Sequence, residues 1–75
     1  MTRYRDALHH LIEIRPVVGG GYCAKRMKRS HAGGGSGCSW AYWNFEKTFS
    51  RDRAEAQRRL DALAAEKGLA KEETL

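Results

Sequence analysis

Ser39-Trp40-Ala41-Tyr42-Trp43-Asn44-Phe45-Glu46-Lys47-Thr48-Phe49 holds five of the seven aromatic residues of a 75-residue chain. Side chains alternate between the two faces of a strand, which puts Ala41, Trp43, Phe45 and Phe49 on one side. Trp40, Tyr42, Asn44, Glu46 and Thr48 fall on the other. The first set suits a core and the second an exposed, partly aromatic surface. The stretch is therefore expected to be a strand with one face held by another element.

Working outward, residues 22–29 alternate Cys23, Lys25, Met27 and Arg29 with Tyr22, Ala24, Arg26 and Lys28, the pattern of an amphipathic strand. Between the two lies residues 30–37, Ser-His-Ala-Gly-Gly-Gly-Ser-Gly, a flexible connection by composition. The expected unit is a hairpin of residues 22–29 and 39–47 centred near Gly34. After Phe49, Ser50 is a good N-cap, Asp52 and Glu55 suit the first turn, and Gly68 suits a helix stop. Ala56, Leu60, Leu63 and Ala64 form an apolar stripe, while Arg51, Glu55 and Arg59 are spaced for pairing along a polar face. The helix is expected to cover Trp43, Phe45 and Phe49, with residues 69–75 a frayed tail.

Upstream, two periods fit residues 2–15. Tyr4, Ala7, Leu8, Leu11 and Ile12 recur as on a helix face, yet Leu8, His10, Ile12 and Ile14 also alternate, and Pro16 would stop a helix. The β-branched second half favours a strand over residues 8–15, with a helical N-terminal segment as the alternative. Pro16 and the glycines at 19, 20 and 21 then mark a turn. The expected fold is a single α+β domain over residues 1–75: a three-stranded antiparallel sheet packed against one C-terminal helix, β-β-β-α. A chain of this length buries only about 60 to 65% of its unfolded surface, so its core is thin and a deep catalytic cavity is not expected.

Lys and Arg number 14 against 9 Asp and Glu. The excess is confined to residues 1–31, which carry seven basic and two acidic side chains, whereas residues 32–75 carry seven of each. Such a field favours an anionic partner, namely nucleic acid, an acidic protein surface or anionic lipid. Charged residues follow Met1 at once, and no apolar run reaches the length of a signal core or a spanning helix, which predicts a cytoplasmic protein with no membrane partner. Cys23 and Cys38 are then expected as free thiols. The hairpin would also hold them roughly 20 Å apart, beyond the reach of a disulfide.

Cys23, His31 and Cys38 with His9 or His10 are zinc-ligand types, but C-x7-H-x6-C lacks the close pairs that preorganise a metal, so no metal site is expected. Neither GxxxxGK[ST] nor GxGxxG is present, and no cofactor is expected. A Cys38–His31 nucleophile and base would lack an orienting acid and oxyanion donors, so the chain reads as non-enzymatic. The strongest signal is the basic run Lys25, Arg26, Lys28 and Arg29, with Arg15 near it and the aromatic pair Trp40 and Tyr42 expected beside it. Together these are the expected partner-binding residues, offering phosphate contacts and rings for stacking. The rival reading is a solvated basic edge strand.

The run from the aromatic strand into Thr48-Phe49-Ser50-Arg51-Asp52-Arg53-Ala54-Glu55-Ala56 resembles the strand-to-helix junction of ethylene-response-type DNA-binding domains and of integrase arm-binding domains, over residues 40–65. That resemblance implies a sheet face docked on DNA, with Arg26, Lys28, Trp40 and Tyr42 at matching kinds of position. In size and composition the chain is also similar to small phage-encoded inhibitors, including anti-CRISPR proteins. This implies a host protein or nucleoprotein complex, such as a CRISPR effector, as partner, with direct nucleic-acid binding as the alternative.

Overall fold

The computed structural model describes residues 2–29 and 38–72, apart from the side chains of Lys28, Arg29 and Cys38. The described strands form one antiparallel sheet: β1 (Arg3–Arg5), β2 (Leu11–Pro16), β3 (Tyr22–Arg29), β4 (Cys38–Tyr42) and β5 (Ala70–Glu72), in the order β4-β3-β2-β1-β5. A one-turn helix, α1 (Phe45–Thr48), precedes the main helix α2 (Arg53–Lys67). The α+β class and the helix after the aromatic strand are as expected. The sheet has five strands where the sequence predicts three, and the expected loop over residues 30–37 lies outside the described residues.

The N-terminal segment is extended, because Asp6 builds a turn where the helical pattern would run. Its Oδ1 accepts the amides of Leu8 and His10, each at 2.9 Å, and His9 takes a left-handed φ of 65°. An Asp side chain that satisfies amides two and four residues on competes with helix for the same groups. β2 accordingly starts at Leu11 rather than residue 8. The second turn closes with Val17 N–H donating to the Gly21 carbonyl at 2.9 Å, and Gly19, Gly20 and Gly21 all have positive φ.

The aromatic stretch departs most from a simple strand. Trp43 N–H still donates to Ala24 O at 3.0 Å, continuing the ladder, but Asn44 turns left-handed at φ 48°, ψ 51° and α1 begins. Asn tolerates this conformation because its short polar side chain offsets the cost. The helical turn rotates Thr48 inward, where it is fully buried, and leaves Phe45 38% exposed. After it the chain rejoins the sheet edge: Ser50 and Tyr22 exchange backbone hydrogen bonds of 2.8 and 2.9 Å. Of the aromatics expected to hold the helix, only Trp43 packs against the core. Phe45 instead meets Tyr42, from the side assigned to the surface, edge-on and stacks on Phe49.

The core lies between α2 and one sheet face, built from Tyr4, Ile12, Ile14 and Ala24 against Ala56, Leu60 and Ala64. The helical stripe is as the sequence predicts, Leu63 included. Asp52 occupies the N-cap, while Ser50 Oγ accepts the Asp52 amide at 3.2 Å, and Gly68 ends the helix at φ 69°. Glu55 pairs with Arg59 at 3.4 Å and with Arg58 at 2.7 Å. Beyond Gly68 the expected frayed tail is β5, paired residue for residue with β1 from Arg3↔Glu72 to Arg5↔Ala70. Residues 73–75 lie outside the described residues.

Candidate functional site

α2 covers one face of the sheet, and alternation sends the other residues of β1, β2, β3 and β4 to the opposite face. The register aligns Glu13, Lys25 and Tyr42 across β2, β3 and β4, with Met27 opposite Trp40 and Arg15 opposite Cys23. These side chains, with Arg3 and Arg5, make the open face, meaning the one that no described helix covers. At its centre Glu13 takes Arg15 Nη1 at 2.7 Å and Arg3 Nη1 at 3.6 Å. A carboxylate held between two guanidiniums keeps both near the surface in fixed directions. Arg15 reaches across β3 to lie over Trp40, 4.2 Å from the ring centroid. Lys25 donates to the Pro16 carbonyl at 2.9 Å and sits 5.1 Å from the Tyr42 centroid. Two cation–aromatic pairs thus lie on one face.

Tyr42, which is 55% exposed, continues into the rings beyond β4. It meets Phe45 edge-on at 5.3 Å, and Phe45 stacks on Phe49 at 5.0 Å. Phe49 is seated against bare backbone: a Cβ built on Gly21 would lie 2.5 Å from its ring. That contact and the φ of 88° explain the glycine.

Of the seven expected binding residues, the structure brings Arg15, Lys25, Trp40 and Tyr42 together. Arg26 is a correction: it stands opposite Ile12 and Ala41, on the helix-covered face, with Nη1 3.7 Å from Asp6 Oδ2. The expectation paired Arg26 with Tyr42, but the hairpin aligns Lys25 with Tyr42, and a shift of one residue exchanges the two faces of a strand. Lys28 and Arg29 pair through their backbones with Ser39 and Cys38, and their side chains lie outside the described residues. The roles of Glu13, Phe45 and Phe49 were missed. Asn44 was the available signal, since a left-handed residue inside an alternating run ends the alternation.

Cys23 is fully buried on β3, and burial pushes its thiol up while Lys25 pulls it down, with burial the larger effect. A thiol so placed is a packed side chain rather than an activated nucleophile. Its register position is six residues from that of Cys38, which pairs with Arg29, so the hairpin separates the two cysteines as expected. His31 of the zinc alternative lies outside the described residues, and the described ones contain no cluster of three or more His, Cys, Asp or Glu able to hold a metal. No described helix is long and apolar enough to cross a membrane. No family model, curated protein or solved structure matches the chain.

Proposed function

We propose that the chain is a small non-enzymatic binding protein that docks its open sheet face on nucleic acid carried by a host nucleoprotein complex, occupying that complex as an inhibitor. The observation that carries the docking surface is the pairing of Arg15 with Trp40 and Lys25 with Tyr42 on the same sheet face, away from the described helices. Guanidinium and ammonium groups supply phosphate contacts, and the rings beside them supply stacking surface, the two components of sequence-tolerant recognition. The inhibitory role rests on the small size and the one-sided charge. A CRISPR effector is one complex of the required kind.

The test is fluorescence anisotropy of labelled oligonucleotides with the whole chain at low salt, comparing the wild type with a variant carrying Arg15→Gln and Lys25→Gln. Glutamine keeps much of each stem and avoids placing a second carboxylate beside Glu13. The double variant is expected to bind about a hundredfold more weakly, two charge-assisted contacts each contributing about 1.5 kcal/mol, with an unchanged circular dichroism melt. Absence of binding by the wild type, or equal affinity of the variant, sinks the nucleic-acid reading. For the inhibitory setting, affinity capture from host lysate is expected to recover nucleoprotein components that nuclease treatment releases. Recovery unaffected by nuclease places the contact on protein.

A further inference from the structure

The open face ends, beyond β4, in a groove of about 490 Å³ between the second turn and the aromatic rings, walled by Val18, Gly19 and Gly20 on one side and Phe45, Phe49 and Arg51 on the other. We propose that this groove receives an unpaired base stacked on Phe45, which makes the ligand of the open face single-stranded nucleic acid rather than a duplex. The inference rests on the nucleic-acid reading of that face and specifies its substrate class.

Three observations carry it. Phe45 is a large ring left 38% exposed beside Tyr42 at 55%, so two adjacent aromatic surfaces remain in water on a domain with a thin core. An aromatic face is costly to leave wet, and a nucleobase, itself flat and with a π surface, covers it whatever its identity. The platform is also rigid. Phe49 stacks under Phe45 with the ring planes 30° apart and is itself seated against Gly21, where no Cβ fits, so the outer ring is held in place before any ligand arrives. The opposite wall, by contrast, is bare: a Cβ on Gly19 or Gly20 would meet nothing within 4 Å, and Val18 is 94% exposed. The groove falls within the roughly 300–1,000 Å³ of small-molecule sites.

Charge complementarity selects the occupant. Arg51 lines the groove, and Lys25 lies over Tyr42, the ring next to Phe45, while Arg15 lies over Trp40 two residues earlier on β4. Cations thus accompany a track of rings that runs from Trp40 through Tyr42 to Phe45, the arrangement a single strand needs for phosphates on one side and bases on the other. In a duplex the base faces are covered by one another, so Phe45 finds no free base face to stack on. Glu46, adjacent to Phe45 in sequence, has the opposite sign and is outnumbered by the three cations.

The experiment uses the full 75-residue chain with three labelled probes of equal length at low salt: an oligothymidylate, an abasic strand with the same phosphates, and a duplex. The oligothymidylate is expected to bind about tenfold or more tighter than the abasic strand, from one or more stacked bases, and tighter than the duplex. Phe45→Leu, which keeps apolar bulk without the π face, is expected to erase most of the difference between oligothymidylate and abasic strand. Val18→Asp, at a position remote from the core, is expected to weaken the oligothymidylate through repulsion of its phosphates. Equal affinity for the thymidylate and abasic strands, or tighter binding of the duplex, overturns the stacking inference and leaves a nucleic-acid surface standing. Binding of none of the three overturns both.

Discussion

At the residue scale, two polar side chains hold the fold at places where burial would otherwise penalise them. Thr48 Oγ1 accepts the Ala24 amide at 3.1 Å and donates to the Asn44 carbonyl at 3.0 Å, so a fully buried hydroxyl closes the junction of β3 and α1. Tyr4 lies in the core with its hydroxyl donating to Asp61 Oδ1 at 2.7 Å, and Asp61 also receives Gln57 Nε2 at 2.9 Å. Burial first, and then the Asp61 carboxylate, push the phenol up to about 12 from 10.0. The folded chain therefore holds this proton more tightly than the unfolded chain does. The resulting stabilisation is complete below the unfolded value of 10.0 and is lost as pH rises through the folded value of about 12. Urea unfolding across that window is expected to show a loss on the order of 2 kcal/mol attributable to Tyr4. Tyr4→Phe is expected to be less stable at neutral pH by about 1 kcal/mol and to lack most of this alkaline decline. An identical decline in both proteins would assign it to other groups.

At the scale of elements, β1 and β5 are three residues each and depend on one another. β1 pairs with β2 on one side and with β5 on the other, and Arg5 Nε and Nη2 donate to the Glu72 carboxylate across the outer pair. Leu69, between α2 and β5, packs against the core cluster. Strands of this length are not stable alone; each exists because its neighbour satisfies its amides. Ending the chain at Gly68 is thus expected to expose β1, speeding hydrogen exchange of its amides by an order of magnitude or more, while the central β3 amides stay protected. Unchanged β1 exchange in the shortened chain would show that β2 and the Tyr4–Asp61 contact suffice.

At the scale of the whole molecule, the uneven charge acquires a direction. The excess of cations lies in residues 1–31. The fold lays those residues down as three adjacent strands, with Arg3, Arg5, Arg15 and Lys25 on the open face against Glu13 and Glu72. A net positive sheet face opposite a helix carrying both signs makes a one-sided field. Binding to a single strand is expected to weaken with salt along a straight line in the log–log plot. That slope is expected to flatten by roughly 0.7 for each of Arg15 and Lys25 replaced by glutamine. A slope unaffected by the substitutions would place the phosphate contacts elsewhere on the surface.

What the sequence determined by itself is local. The stripe Ala56, Leu60, Leu63 and Ala64 with Gly68 behind it specifies α2, because a helix is closed by bonds within four residues and its stop needs only a left-handed position. The alternation over residues 22–29 and the glycines at 19, 20 and 21 likewise specify β3 and the turn before it. Tertiary structure decided everything that depends on what lies opposite. The strands β1 and β5 are too short to show a period and join residues that are nearly 70 positions apart. The turn at Asp6 overrode a helical pattern through side-chain bonds to two amides. The face on which each cation stands was set by the register of β3 on β4: the alignment of Lys25 with Tyr42, a single residue from the one expected, moved Lys25 to the open face and Arg26 to the opposite one. Alternation is a property of a strand alone. Which side meets water belongs to the sheet, because only pairing and the helix above it distinguish the two faces.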